Sequence, residues 1–233
     1  MRTKTLLLTA ALSAAGLATS MAQVYSVNAV GYVNISIPAH GYGILGNPLN
    51  GTNNSVSTIL SLPNGYDGSN IYRFDPPTQS YLDTVSWIEG FGWLSPSDPD
   101  PTINPGEGFF FQNGGATTIN LTFVGEVPAG TLHNPVAGGN KYSIRSSVVP
   151  KGLKLGNVGV AGTLEFPADD GDNVYIFDIP TQSYKDTYSY ILGLGWISGS
   201  DPDPDGPVIP VATGFFSQKT APARDWVQSF SVN

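Results

Sequence analysis

The chain contains no cysteine. No disulfide can staple it, and neither a thiolate nucleophile nor a cysteine-rich zinc site is available to it. Histidine is almost as scarce, with His40 and His133 alone. Neither sits in a Gly-x-Ser-x-Gly or His-Glu-x-x-His setting, and both lie in Pro/Gly-rich stretches that read as exposed turns. Charged residues make up only 12% of the chain, against about 25% in an average domain. Ten basic residues face 18 acidic ones, so the basic footprint that nucleic acid or an anionic membrane requires is missing. Long helical periodicity is absent. After the first 22 residues no stretch is apolar enough for a membrane helix.

What is present begins with an export signal. Arg2 and Lys4 make a positive start, Leu6 to Ala18 is an uncharged apolar run, and Ser20 and Ala22 supply small side chains for cleavage after Ala22. The run is too short to span a bilayer, and no cysteine follows it to carry a lipid anchor. We therefore expect residues 1–22 to be a cleaved signal peptide and the mature chain to be secreted, extracellular or at the cell surface, with the periplasm as an alternative. No sorting tail follows Asn233, so surface attachment would be non-covalent. Removing Arg2 and Lys4 leaves eight basic residues against 18 acidic, a net charge of −10. The 28 Gly and 19 Pro are the turn residues of an all-β protein.

The main organisational feature is a duplication. Residues 70–102 read NIYRFDPPTQSYLDTVSWIEGFGWLSPSDPDPT, and residues 173–205 read NVYIFDIPTQSYKDTYSYILGLGWISGSDPDPD, with 22 identities in 33 positions. The match resumes at Gly108-Phe109-Phe110 and Gln112 against Gly214-Phe215-Phe216 and Gln218. It extends loosely upstream, from Tyr42-Gly43-Ile44 to Tyr142-Ser143-Ile144. A repeat of this period implies two supersecondary units of one design. We expect two tandem small β-sandwich or barrel-like repeats, 23–128 and 129–233, split near Pro128 to Gly130.

Short runs rich in β-branched and aromatic residues, bounded by Pro, Gly, Asn and Asp, predict strands at 30–37, 42–45, 70–75, 108–112 and 118–124. Ser55 to Leu62 predicts one short helix or 3₁₀ turn, with Val56, Ile59 and Leu60 on one side. In the strand at 70–75, period-2 alternation separates Tyr72 and Phe74 from residue 73. The second copy keeps Tyr175 and Phe177 but replaces Arg73 by Ile176. The kept face is therefore expected to be core, and the exchanged face to meet solvent or the other unit. The Thr-Gln-Ser-Tyr segments at 78–81 and 181–184 read as turns capped by side-chain to backbone hydrogen bonds.

Gly41-Tyr42, Asn47-Pro48-Leu49, Ile71-Tyr72-Arg73-Phe74-Asp75 and Asn104-Pro105-Gly106-Glu107-Gly108-Phe109-Phe110 resemble a group of uncharacterised secreted proteins of environmental, Verrucomicrobia-type bacteria. Phe123 to Val127 at the join also fits, so the resemblance covers nearly the whole mature chain. The second copy departs from it, offering Pro210-Val211-Ala212-Thr213-Gly214 in place of Pro-Gly-Glu-Gly. The resemblance implies a secreted repeat protein and carries over no activity and no site.

Three kinds of chemistry remain open. Asp98 and Asp100 in the first copy, and Asp201, Asp203 and Asp205 in the second, lie in Asp-Pro-Asp-Pro runs. Alternate carboxylates can offer oxygens to Ca²⁺ as a cofactor, although a stiff loop of hydrated acids is the plainer account. A glycosidase needs only two carboxylates, with Glu89, Glu107, Glu126 and Glu165 as candidates. Glu89 becomes Leu192 in the second copy, so any such site would belong to one copy. Aromatic side chains can stack on sugars. Trp93 and Trp196, repeated within Gly-Trp-(Leu/Ile)-Ser, read as core, leaving Trp87 and its counterpart Tyr190 as the surface candidates for a ligand.

The segment Tyr25-Ser26-Val27-Asn28 resembles the last four residues, Phe230-Ser231-Val232-Asn233. Terminal strands of this kind pair within one chain, the simpler arrangement, or with a neighbouring chain in a head-to-tail fibre. The expectation is a non-enzymatic extracellular or cell-surface protein acting by ligand binding or as matrix material, with an extracellular glycan or self-association as partner. A self-assembling surface or fibre subunit and a carbohydrate-active enzyme are the alternatives.

Overall fold

A computed structural model describes residues 29–231. The expected signal peptide, Tyr25 to Asn28, Val232 and Asn233 lie outside the described residues. The chain is nearly all β, as its composition predicts. In the first half the strands are β1 (Val30–Ile37), β2 (Tyr42–Gly46), β3 (Asn70–Asp75), β4 (Ser80–Tyr81), β5 (Val85–Ile88), β6 (Gly92–Leu94), β7 (Gly108–Gln112) and β8 (Ile119–Glu126). Among the described residues the one helix is α1 (Val56–Ile59), which buries Val56 and Ile59 and matches the predicted short turn of helix. The second half contributes β9 (Gly130–Val136), β10 (Lys141–Ser146), β11 (Leu153–Lys154), β12 (Asn173–Tyr175), β13 (Phe177–Asp178) and β14 (Ser183–Tyr184). It ends with β15 (Tyr188–Ile191), β16 (Gly195–Ile197), β17 (Val208–Ile209), β18 (Gly214–Lys219) and β19 (Arg224–Phe230).

The duplicated segments pair alike. One sheet runs β2-β7-β3-β5-β6, with β4 added to β3; another runs β10-β18-β12-β15-β16, with β13 pairing β14 beside it. Phe74 lies opposite Tyr81 and Phe177 opposite Tyr184, while Trp87 faces Trp93 and Tyr190 faces Trp196. Outside these sheets β1 pairs β8, and β9 pairs β19 over residues 130–136 and 224–230. The last described strand is thus paired within the chain.

Two buried apolar clusters lie under the sheets. One contains Leu45, Ile71, Trp93, Phe109, Phe111 and Phe123, and the other Phe166, Val174, Ile176, Trp196, Phe215 and Trp226. Each buried indole spends its only donor on a backbone carbonyl: Trp93 on Leu60, Trp196 on Gly156 and Trp226 on Leu164. The second cluster is bordered by a buried ionic group. The Lys219 ammonium, 1% exposed, donates to Asp172 (2.5 Å) and Asp169 (2.9 Å), and Arg224 closes on Asp169 from outside. The guanidinium of Arg224 and the ammonium of Lys219 hold the Asp169 carboxyl below its usual pKa.

Three sequence expectations are overturned. First, Tyr72 and Phe74 are not the core face of β3. Ile71 is fully buried in its place, and in β12 it is Val174 that fills the core, followed by Ile176. The kept aromatic face instead packs across the two halves: Phe74 meets Phe216 edge-on at 5.6 Å and Phe110 meets Phe177 at 6.2 Å. Second, the exchanged position, expected to meet solvent or the other unit, turns toward a core in the second copy, where Ile176 belongs to the buried apolar cluster. Ile176 is 4% exposed, and Arg73 is half-buried with an Nε that has no partner. Third, His133 stands on β9 rather than in a turn, exposed, with Nδ1 2.5 Å from Asp225 on β19. His40 does occupy an exposed turn, at φ 54°.

Candidate functional site

The aromatic face carries a reciprocal junction between the halves. Asp75 accepts hydrogen bonds from the Thr78 amide and hydroxyl, which folds Thr-Gln-Ser-Tyr into a turn with Gln79 at φ 56°. Gln79 then reaches the other half: its Nε2 donates to the Tyr142 carbonyl (3.0 Å), and the Tyr142 amide donates to its Oε1 (2.8 Å). The second copy repeats this in the opposite direction. Asp178 caps Thr181, Gln182 sits at φ 53°, its Nε2 donates to the Tyr42 carbonyl (2.9 Å), and the Tyr42 amide donates to its Oε1 (2.6 Å).

The backbones are exchanged in the same reciprocal way. Gly46 N–H donates to Ala212 and Ser146 N–H to Gly106, while bridges join Leu45 to Thr213 and Glu107 to Arg145. The Gly-Phe-Phe motif at 108 and 214 follows from this approach. A Cβ on Gly108 would stand 3.0 Å from the Arg145 amide, and one on Gly214 would stand 2.7 Å from the Leu45 carbonyl. Each side makes the other's contacts, the pattern of an isologous interface.

Flanking the junction are two pockets of the same make. Tyr42, Tyr72, Tyr81 and Phe110 line one of about 230 Å³. Tyr142, Tyr175, Tyr184 and Phe216 line the other, of about 240 Å³. Strand register places them: Tyr72 and Ile44 flank Phe110, and Tyr175 and Ile144 flank Phe216. Exposure matches position by position, with Tyr42 and Tyr142 at 38% and 36%, and Tyr81 and Tyr184 at 50% and 49%. The two floors touch, Phe110 and Phe216 lying 5.9 Å apart between centroids.

Four of the phenols ionise less readily than a free tyrosine. Burial, reinforced by the neighbouring Tyr81, pushes the Tyr184 hydroxyl up to about 12. Burial raises Tyr81, Tyr72 and Tyr175 as well, with Tyr42 and Tyr142 adding to the last two respectively. Tyr72 Oη donates to Gln112 Oε1 (2.7 Å) and Tyr175 Oη to Gln218 Oε1 (3.1 Å), so the kept glutamines fix the same hydroxyl in each pocket. No charged side chain lines either one.

The sequence candidates lie elsewhere. Trp87 packs edge-on against Trp93 (5.5 Å) and Tyr190 against Trp196 (5.4 Å), both half-buried over the cores, and the Trp87 Nε1 is buried without a partner. Among the acidic runs, the Ser57 amide and hydroxyl bind Asp100; they outweigh its partial burial and hold its pKa low. Asp98 accepts from the Asp100 amide. In the second copy Asp201 accepts from Tyr188 and from the Asp203 amide, and Asp203 accepts from the Asp205 amide. Lys154 pairs with Asp203 at 2.5 Å, lowering its pKa, and stands 3.7 Å from Asp205. Among the described residues no group of three or more His, Asp or Glu converges as a metal centre. Of the glycosidase candidates, Glu107 and Glu165 each accept a backbone amide of their own loop, from Asn104 and Gly159, and Glu89 accepts the Gly65 amide from the loop before β3.

The tyrosine quartets were missed at the sequence level, although their signal was present: all four positions recur in type across the duplication. Comparison with protein-family models, with curated proteins and with solved structures finds no match, so the reading of this site rests on its own geometry. Among the described residues no helix is long and apolar enough to cross a membrane.

Proposed function

We propose that this is a secreted, non-enzymatic extracellular or cell-surface protein, built as two tandem small β units, that binds an uncharged ligand in its paired tyrosine pockets. The carrying observation is the recurrence of Tyr, Tyr, Tyr and Phe at matching positions, exposures and pocket volumes in both halves. Contiguous exposed aromatic rings mark surfaces that bind a partner, and their faces can stack on one. Rings with neutral hydroxyls and no nearby charge suit a partner that is apolar on its faces and polar on its edges, which describes an extracellular glycan.

The test is calorimetric titration of the chain from residue 23 with a panel of neutral oligosaccharides, run beside Tyr81→Ala and Tyr184→Ala. Both tyrosines are half-exposed, so the variants are expected to fold. Heat with wild type that is weakened in each variant supports the reading. Affinity equal in all three proteins removes it.

A second reading is self-association through the outer ribbon. The β1–β8 pair presents Val30, Tyr32 and Val124 to solvent at 71%, 67% and 55% exposure. Light scattering of the chain from micromolar to millimolar concentration tests it: a constant monomer mass ends this reading, and mass that grows with concentration supports it.

A further inference from the structure

We infer that the two pockets form one continuous subsite row, and that the ligand is a single linear chain of neutral sugar residues lying across the junction. This rests on the glycan reading above and specifies it. The continuity is structural: Phe110 and Phe216, the floors of the two pockets, are in van der Waals contact, with centroids 5.9 Å apart. The tyrosines on either side of them belong to opposite halves. Tyr81 approaches Phe110 at 6.5 Å, and Tyr142 approaches Phe216 at 6.4 Å. Tyr81 also lies near enough to Tyr184 to disfavour its ionisation across the junction. A molecule long enough to leave one pocket therefore meets the rings of the next across the Phe110–Phe216 contact.

The hydrogen-bonding state of the walls selects the chemistry. A phenol has one proton to donate and lone pairs to accept with. Tyr72 and Tyr175 spend their protons on Gln112 and Gln218, so toward the pocket each offers an acceptor. A ligand that brings hydroxyl or amide donors satisfies it directly. Sugar hydroxyls do so while their C–H faces cover the rings. A polyproline chain stacks as well but has no N–H, and a quaternary ammonium has no donor at all. With no basic side chain in either lining and a surplus of acid in the whole chain, carboxylated or sulfated polymers are disfavoured.

Two contiguous subsites on one rigid face also predict a length dependence. A second contact made by a ligand already held at the first is intramolecular, and linked contacts raise affinity on the order of 10²–10⁴-fold without any new kind of interaction. The experiment is calorimetry of the chain from residue 23 with gluco-, xylo- and manno-oligosaccharides of two and of six units, beside a proline hexapeptide. The expected result is a hexasaccharide bound one to one, at least tenfold tighter than the matching disaccharide bound two to one. Tyr184→Ala should abolish that gain in length while leaving disaccharide affinity at the remaining pocket. If hexasaccharide and disaccharide bind with equal affinity, both two to one, the continuous row is refuted and the separate pockets stand. If the proline peptide binds and the sugars do not, the assigned chemistry is overturned. If nothing in the panel binds to the folded protein, the glycan reading falls with it.

Discussion

The glutamine clamps allow the sharpest test of how the halves are joined. Gln79 and Gln182 each place one side-chain amide against a backbone N–H and C=O of the opposite half, at 2.6–3.0 Å. Replacing either by Ala removes two crossing hydrogen bonds. It also removes one internal bond, from Nε2 to Pro76 or Ile179. Each such bond stabilises by roughly 0.5–1.5 kcal/mol net. These bonds lie at an exposed rim where water replaces the lost partner, so the lower part of the range applies. About 1–2 kcal/mol per glutamine follows. Alanine is the right probe because it keeps the Cβ and hence the backbone strain of φ 56° and 53°, whereas Gly would relieve that strain and mask the loss.

The clamps share no partner, so the double variant should lose the sum, about 2–4 kcal/mol. For a chain of this size each kcal/mol lowers Tm by roughly 2–4 °C. Urea unfolding followed by Trp fluorescence gives the free energies, and calorimetry gives Tm. A double variant within about 0.5 kcal/mol of wild type would refute the clamp, because the loss expected from the geometry exceeds the error of linear extrapolation.

Four further outcomes follow from the same structure. Lys219→Met should cost about 3–5 kcal/mol in urea unfolding, because it strands the buried Asp172 carboxylate; a loss below 1 kcal/mol would show that the Asp169 and Thr220 amides and the Thr220 hydroxyl satisfy that carboxylate alone. Trp196→Ala should cost roughly 3–5 kcal/mol, since it empties a 1%-exposed site and orphans the Gly156 carbonyl, whereas Trp87→Ala over the half-buried rim should cost less than half as much; equal losses would contradict the burial difference. The pH profile has two edges. Asp169, Asp100, Asp178 and Asp203 have lowered folded pKa values, so their stabilisation is present above the unfolded pKa near 3.9 and is lost as pH falls below it. Tyr184 and Tyr188 are raised to about 12, so theirs is full below about 10 and is lost as pH rises toward 12. Tm measured from pH 2 to 12 should plateau between these edges, and a maximum at the acidic pI would argue against this assignment. Millimolar Ca²⁺ should leave Tm unchanged, because the Asp-Pro carboxylates are held by Ser57, Lys154 and their own loop amides; a rise of several degrees would reinstate a calcium site.

The strands were legible because their cause is local. Alternation and β-branching specify 30–37 and 70–75 to the residue, and Gly or Pro ends most of the others. The turn at Thr78 and Thr181 was legible for the same reason, since Asp75 and Asp178 lie three residues away. The Asp-Pro runs read as stiff loops of hydrated acids or as calcium ligands; that Asp100 binds Ser57 and that Asp203 pairs with Lys154, some 50 residues upstream, could not be read locally.

The sequence by itself determined five of the longer strands, the Asp-capped turns, the duplication and the residues each copy retains. Alternation separated Tyr72 and Phe74 from Ile71 and Arg73, but it cannot say which face lies over a core and which lies against a second unit, because both burials demand apolar side chains. Only the tertiary structure decided that Gln79 meets Tyr142 and Gln182 meets Tyr42, across 63 and 140 residues of chain. Those contacts depend on the two halves of the chain packing face to face, and the energy that selects this packing is shared among Phe74, Phe110, Phe177 and Phe216 rather than encoded near any one of them. The tyrosine pockets arise from that packing, which is why eight residues scattered from 42 to 216 become one surface only after the chain has folded.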